Sequence, residues 1–144
     1  MQPDRTDWKI INLLSKQNET NTTIANELGV SEGMVRQRVK KLQDAGIVKI
    51  RALRNPEVLE NQQLAMVTVN IAEPRLLEAK AKEILKIKNV LSVSILSGQY
   101  DLIIEVLVDS NKGLIRFISK QLSGIGGITK TETFLTLKSF NKWV

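Results

Sequence analysis

The chain has 144 residues and a net charge of +6, and its 42% hydrophobic and 25% charged residues are ordinary for a folded protein of one domain or two small ones. It contains no cysteine and no histidine, which excludes disulfides and thiolate chemistry and removes the commonest general base and metal ligand. We therefore expect no enzyme, no metal site and no cofactor. No stretch is long enough to span a membrane and the first twenty residues do not resemble a signal peptide, so we expect a cytoplasmic protein with no membrane partner.

Two helices are predicted at the start of the chain. In "DRTDWKIINLLSKQ" (residues 4–17) the apolar positions form a helical stripe, with Thr6 or Asp7 as the expected N-cap and an end near Asn18. A second, shorter helix is predicted over residues 21–29. Its expected features are Asn21 or Thr22 as the cap, Ile24, Ala25 and Leu28 facing inward, and Gly29 as the left-handed stop.

A third helix is predicted from Ser31, a favourable N-cap, to Gly46, which ends it. Val35, Val39 and Leu42 have the spacing of a buried helix face. The segment 31–54 holds seven basic residues against two acidic ones. This local excess of positive charge is typical of a surface that meets a polyanion.

The second and third helices match the helix-turn-helix pattern, which needs a small residue at the helix crossing and a glycine in the turn; Ala25 and Gly29 meet these needs. On the outer face, Arg36 suits guanine and Gln37 suits adenine. The residues that suit phosphates are Lys40, Lys41, Lys49, Arg51 and Arg54. The alternative interpretation is a solvated basic face on an ordinary three-helix bundle. The residues expected to contact DNA are Thr22, Ser31, Glu32, Gly33, Arg36, Gln37, Arg38, Lys40, Lys41, Lys49, Arg51 and Arg54.

The next two segments differ in character. In "IVKIRALRN" (residues 47–55) apolar and basic residues alternate and several residues are β-branched, which predicts a strand or a pair of wing strands. "PEVLENQQ" (residues 56–63) is polar and contains a proline, which predicts a linker. We expect a DNA-binding domain over residues 1–54, a linker over 55–63 and a second domain over 64–144.

The second domain is predicted to have the order β-α-β-β-α-β, the ferredoxin-like arrangement, which makes the whole chain an α+β protein. Helices on one face of such a sheet leave the other face open. In the first strand Ala65, Val67, Val69 and Ile71 share one side, and in the next Leu91, Val93 and Ile95 do so. The opposite side mixes apolar and polar residues, so we expect it to pair with a second sheet in a dimeric αβ sandwich. The predicted strands are 64–71, 90–97, 102–108 and 128–140, and the predicted helices are 73–88 and 110–122.

The stretch "SGQYDL" (residues 97–102) lies between two predicted strands. Glycine and aspartate are what a tight hairpin needs, so a purely structural turn is one interpretation. The other is a ligand site, in which amides near Gly98 face a carboxylate, Asp101 faces an ammonium, and Tyr100 serves as a lid or subunit contact.

The segments "GIGG" (124–127) and "TKTET" (129–133) are the last candidates. The glycines follow a helix and no Gly-Lys-Ser/Thr comes after them, so they do not form a phosphate loop. Thr131 and Thr133 share one face of the last strand. Their hydroxyls either serve a ligand or simply favour a strand.

As a set, these motifs resemble the Lrp/AsnC (feast/famine) family of prokaryotic transcription regulators. The resemblance is carried by "DRTDWKIINLLSKQ", "IANELGVSEGMVRQRVKKLQDAGIVK", "GQYDL" and "TKTETFLTLKS", and it covers nearly the whole chain. It implies an N-terminal winged helix-turn-helix and a C-terminal ferredoxin-like βαββαβ domain. It also implies self-assembly into dimers, then tetramers or octamers, with an amino acid bound between dimers. The effector residues implied by the family pattern are Gly98, Gln99, Tyr100, Asp101, Thr131 and Thr133.

The expected function is sequence-specific binding of double-stranded DNA, with a free amino acid modulating assembly or DNA affinity. The alternative is an architectural DNA-coating protein without a small-molecule effector. An enzyme similar to haem-biosynthetic decarboxylases, which resemble this family in architecture, is disfavoured because the chain has no histidine.

Overall fold

The structure, a computed structural model, describes residues 1–17 and 19–144, which form two compact units, Met1–Ala52 and Leu53–Val144. The predicted helix end near Asn18 falls on a position outside the described residues. Segment 55–63, predicted as a linker, contains a single 3₁₀ turn at Pro56–Val58. Its role as a linker stays a prediction.

The first unit consists of three helices, α1 (Arg5–Gln17), α2 (Asn21–Leu28) and α3 (Glu32–Asp44). Their apolar faces meet in one core, as the helical spacing predicts, because each helix has an apolar stripe that must leave water. Trp8 does not belong to that core and is exposed. The buried residues of the core are Ile10, Ile24, Ala25, Val35 and Val39.

The helix caps differ from the prediction in two places. Asp4, and not Thr6 or Asp7, caps α1, because its Oδ1 accepts from the Asp7 N–H at 2.8 Å while Asp7 Oδ2 accepts from the Asp4 N–H at 3.0 Å. Thr20, one residue before the predicted start, caps α2 through the Thr23 N–H. Ser31 caps α3 and Gly29 ends α2 with φ +65°, both as predicted.

Residues 47–55, all of which the structure describes, form no strand, so the strand or wing pair predicted there is absent. A strand needs a neighbour for its backbone hydrogen bonds. At its start, the Ile47 and Val48 N–H groups donate to the Leu42 carbonyl of α3. Among the described residues, its one backbone partner on a distant segment is Val144, which exchanges hydrogen bonds of 2.7 and 2.9 Å with Arg54.

The second unit has the predicted β-α-β-β-α-β order. Its four antiparallel strands lie in the order β2-β3-β1-β4, the ferredoxin-like arrangement. The last strand is shorter than predicted and ends at Leu135, and the second helix continues from α5 in wider π-helical turns over Phe117–Leu122. The elements are β1 (Gln63–Ile71), α4 (Leu77–Leu85), β2 (Val90–Ile95), β3 (Leu102–Val108), α5 (Asn111–Arg116) and β4 (Ile128–Leu135).

The helix-covered side of the sheet forms the main core, with β1 presenting the four residues predicted from its alternation. The second strand departs from the prediction at Leu91. Its register with β3 shifts between Val90 and Ser92, so that Leu91 turns to the opposite side and packs with Leu64 and Leu107. A one-residue bulge reverses which face a side chain occupies.

The other side of the sheet, which we call the open face, is not bare. Val144 is buried there against Leu64 and Leu107, and Lys142 forms an ion pair with Glu105 of β3. The C-terminal segment therefore returns to the sheet and covers part of the face that the sequence predicts to be free.

Candidate DNA-binding and effector sites

The outward side of α3 carries the predicted DNA contacts. Val35, Val39 and Leu42 are buried, and this fixes which side of the helix faces solvent. Since the helix is held by its N-cap and by its packing, its outer side chains project from a rigid element. The exposed predicted residues on α3 are Glu32, Gly33, Arg36, Gln37, Lys40 and Lys41.

A small polar network stands at the start of that surface. Arg36 Nη2 donates to Glu32 Oε1 at 3.1 Å, one helical turn away. Thr22 Oγ1 of α2 donates to the other carboxylate oxygen of Glu32, also at 3.1 Å. Both carboxylate oxygens of Glu32 are thus occupied by protein groups.

Arg38 has a different environment from its neighbours on α3. Its Nη1 donates to Asp4 at 2.6 Å and to Asp7 at 2.8 Å, and the Asp7 side chain is only 4% exposed. The Arg38 guanidinium, followed by the Asp7 N–H, lowers the pKa of Asp4 below its ordinary value of 3.8, and the two carboxylates raise the pKa of Arg38. This occupancy argues against the DNA contact predicted for Arg38, because its charge already joins α3 to the start of α1.

The remaining predicted DNA contacts lie outside α3 or at its cap. Thr22 is exposed on α2, and Ser31 uses its hydroxyl to cap α3. Lys49 and Arg51 are exposed in the irregular segment that follows α3. Arg54 belongs to the second unit, and its contact with DNA stays a prediction.

The stretch "SGQYDL" forms the loop between β2 and β3 and the first residue of β3. Its hydrogen bonds confirm that it serves as a structural turn. Gly98 has φ +153°, which favours glycine. The Leu96 N–H donates to the Asp101 carbonyl at 2.8 Å, and Asp101 Oδ2 accepts from the Ile71 N–H at 2.8 Å. Asp101 therefore closes the loop through its carbonyl, and its side chain supplies a hydrogen-bond acceptor for the last backbone N–H of β1.

The same loop gathers polar groups that the sequence does not link to it. The Lys130 Nζ of β4 lies 5.4 Å from the centroid of the Tyr100 ring. Asn70 Nδ2 donates to the Gln99 carbonyl at 3.2 Å, while Asn70 Oδ1 is buried without a hydrogen-bond partner among the described residues. The register pair Asn70 and Lys130 brings these two side chains to one place, which only the strand order reveals.

The two threonines of β4 lie at the same end of the sheet but on its other side. Thr131 pairs with Val69 and Thr133 with Val67, so both share the helix-covered side, whereas Lys130 faces the open side. Thr131 lines a cleft of about 270 Å³ beside Ile118. Within one chain the structure therefore joins the loop to Lys130 and separates it from the threonines.

None of the helices in the described part of the chain is long and apolar enough to cross a membrane. The profile described as "winged helix-turn-helix DNA-binding" matches residues 3–49, and that of the "Lrp/AsnC ligand binding domain" matches residues 64–142.

Relatives cover the chain over nearly its full length. A helix-turn-helix-type transcriptional regulator of Pyrococcus furiosus is 34% identical over 97% of this chain and 95% of its own. The regulator FL11 of Pyrococcus abyssi is 27% identical over 94% of this chain and 90% of its own.

Solved structures have the same fold. AsnC of Escherichia coli superposes with a TM-score of 0.71 at 21% identity, covering 96% of this chain and 95% of its own. A transcriptional regulator of Neisseria meningitidis, solved as a complex with L-methionine, superposes with a TM-score of 0.74 at 26% identity, covering 98% and 94%. With profiles matched in both units and a relative at 34% identity, this chain belongs to the Lrp/AsnC family of transcriptional regulators, with a DNA-binding helix-turn-helix unit and a ligand-binding unit.

Proposed function

We propose that this regulator recognises specific DNA sequences through α3 and that a free amino acid changes its assembly or its DNA affinity. DNA recognition is supported chiefly by the outer face of α3, where Arg36 and Gln37 are exposed. The opposite face of the helix is buried, and this packing fixes the direction in which the two side chains project. Arg36 offers donors, and Gln37 offers both a donor and an acceptor, for base edges in the major groove.

The positive residues around them suit the phosphate backbone. Lys40 and Lys41 are exposed on the same helix, and Lys49 and Arg51 follow it. Phosphate contacts position a protein on DNA without reading its sequence. A dimer that presents two such helices about 34 Å apart would read a palindrome-like site, and its affinity would fall steeply with salt.

For the effector we propose the group formed by Asp101, Tyr100, Asn70 and Lys130. An amino acid carries one ammonium and one carboxylate. Asp101 suits the ammonium, as does Asn70 Oδ1, which has no hydrogen-bond partner among the described residues, and Lys130 suits the carboxylate. The relative from Neisseria meningitidis, solved with L-methionine, supports an amino acid as the ligand class.

The threonines enter this site only if a second chain contributes to it, because Thr131 and Thr133 share the other side of the sheet. We therefore propose that the chain acts as a dimer that assembles further into tetramers or octamers, with effector binding linked to assembly. The curated relatives are named transcriptional regulators, and we propose a non-enzymatic role for this chain as well.

A genome-wide binding profile separates the proposed regulator from a DNA-coating protein. We expect a small number of sharp, palindrome-like sites for the native chain. Broad coverage without a shared sequence would contradict sequence-specific regulation and favour the coating function.

A further inference from the structure

The positive charge of the second unit lies on its two helical segments. Residues 73–88 and 110–122 together hold eight basic residues against three acidic ones. The rest of the unit, which begins at Leu53, holds four basic residues against six acidic ones. The unit is therefore polarised, with a clear excess of positive charge on its helices and a small excess of negative charge elsewhere.

Both helical segments pack on the same side of the sheet. Ile84 of α4 and Phe117, which directly follows α5, are buried in the core that β1 enters with Val67 and Val69. The outward sides of the two helices consequently face the same way, and we call the surface that they form the helix face. Its exposed basic residues are Lys82, Lys86, Lys88, Lys112, Arg116 and Lys120.

On α5 and the π-helical turns after it, the basic residues form a row. Lys112, Arg116 and Lys120 are each four positions apart, and all three are exposed. Residues at this spacing are neighbours on one side of a helix. No acidic residue occurs between positions 110 and 131, so the sequence places nothing in this segment that would neutralise the row.

The rest of the second unit does not neutralise the row either. Among the described residues, none of its three members forms an ion pair. Asp109, the acidic residue nearest to the row in the sequence, accepts from the Ser110 hydroxyl at 3.3 Å, before α5 begins. The three charges therefore face solvent without a carboxylate partner.

The other helical segment adds charge to the same face. Lys80 pairs with Glu83 at 3.0 Å and Arg75 with Glu73 at 2.6 Å, which leaves Glu78 as its remaining acidic residue. Its remaining basic residues are exposed and take part in no ion pair of the described chain; they are Lys82, Lys86 and Lys88. An anionic partner could thus meet six cations on the helix face without breaking an ion pair.

The chemistry of the helix face favours the backbone of DNA as that partner. Lysine and arginine neutralise phosphates without reading a sequence. A membrane surface would take up a helix whose apolar side enters the lipid, but the apolar sides of these helices are buried in the core. The first unit is a DNA-binding helix-turn-helix. Because the two units are consecutive in one chain, its binding keeps the second unit at high local concentration near the duplex.

We propose that the helix face is a second DNA-contacting surface, which binds phosphates that flank the site read by α3. The choice of DNA rests on the proposed function, but the surface is a new one, since that function places the DNA contacts in the first unit and at Arg54. Contacts of the helix face lengthen the bound segment of DNA. They also make the affinity depend more steeply on salt, because each phosphate contact releases counterions.

The test is the salt dependence of affinity for a long duplex of random sequence, measured by fluorescence anisotropy. The slope of log K against log salt should fall by about 0.9 in Arg116→Gln and by about 2.7 in the triple variant Lys112→Gln, Arg116→Gln, Lys120→Gln. Lys138→Gln is the matched control, because it removes one exposed positive charge outside the helix face, and it should keep the native slope. Unchanged slopes in the row variants, or an equal fall in the control, would overturn the proposal.

A measurement on the native chain removes the dependence on substitutions. Acetylation of exposed lysines, followed by mass spectrometry, should slow at Lys112 and Lys120 when the long duplex is added, and it should not change at Lys138. Equal acetylation of Lys112 and Lys120 with and without DNA would overturn the proposal.

A duplex that contains the preferred site keeps the two proposals apart. If the native chain prefers no sequence while the row variants lose slope, the proposed sequence-specific function fails and the helix face stands. If the chain prefers its site and the row variants keep the native slope, the helix face fails alone. Row-dependent binding to vesicles of anionic phospholipid, with an unchanged slope on DNA, would assign the face to a membrane and overturn the proposal.

Discussion

Arg36 donates a 3.1 Å hydrogen bond to Glu32, one helical turn away on the exposed side of α3. Glu32 is in turn held by Thr22 of α2. An acidic residue repels phosphates, so its presence among the predicted DNA contacts needs a reason. The hydrogen bond suggests that reason, because Glu32 restricts the orientations that the Arg36 guanidinium can take.

We therefore expect Glu32→Ala to separate specificity from affinity. Loss of a negative charge beside DNA should raise non-specific affinity, while the freed Arg36 should discriminate its guanine less well, by about 1 kcal/mol or more. The measurement is fluorescence anisotropy with the preferred site and with a site changed at one base. An unchanged ratio between the affinities for the two sites would contradict this role of Glu32. Thr22→Val, which leaves the charge in place, should give a smaller change in the same direction.

The acid group at the start of α1 makes a prediction about pH. Because Arg38 lowers the pKa of Asp4 in the folded chain, the ionised carboxylate stabilises the fold above the ordinary pKa of Asp4, and this stabilisation is lost as the pH falls through the lowered value. Asp4→Asn keeps an N-cap oxygen but not the charge. The native chain should melt higher than Asp4→Asn at pH 6, and the gap should narrow progressively as the pH falls below 3.8, the ordinary pKa of Asp4. A gap of constant size down to pH 2 would contradict the ion pair.

Arg38 and Lys40 should behave differently although both are basic residues of α3. Arg38→Gln leaves the buried Asp7 carboxylate short of its partner and should cost about 1–3 kcal/mol of unfolding free energy, with little change in the salt dependence of DNA binding. Lys40→Gln should leave stability unchanged and reduce the salt slope by about 0.9. Urea unfolding and DNA titrations at several salt concentrations measure the two quantities. The reverse pattern would restore Arg38 as a phosphate contact.

Effector binding predicts a thermal response to at least one of the twenty amino acids. A ligand at 100 times its Kd adds about 2.7 kcal/mol, which raises the melting temperature of a domain of this size by several degrees. Lys130→Met and Asp101→Asn should abolish the response, and Asn can still accept the Ile71 N–H. Lys138→Met is the matched control and should respond normally. If both site variants respond like the native chain, the proposed ligand contacts are wrong.

Regular elements were predictable because their signals are local. The buried stripe of α3, its Ser31 cap and the β-α-β-β-α-β order follow from periodicity and turn residues, and the structure confirms them. The cap of α1 was missed because Asp7 has the same N-cap propensity as Asp4, and Thr6 is also a favourable N-cap. Only the reciprocal hydrogen bonds distinguish them.

Features that depend on distant partners could not be read from the sequence. Arg38 looks like any basic residue of a DNA-facing helix, but its partners Asp4 and Asp7 lie 34 and 31 positions away. Leu91 changes face because of a bulge that only the pairing with β3 defines. The sequence predicts the last strand as far as Phe140, because Thr136 and Phe140 are good strand formers whatever they contact, but β4 ends at Leu135.

The central claim is that α3 reads DNA sequence, and the most direct measurement is the enrichment of bound DNA from a random library by the native chain and by Arg36→Ala. The native chain should select a palindrome-like consensus with half-sites about one helical turn apart. Arg36→Ala should lose preference at a guanine in each half-site, at a cost of about 1–3 kcal/mol, with the flanking positions retained. An unchanged consensus in the variant, or no consensus for the native chain, would contradict the account.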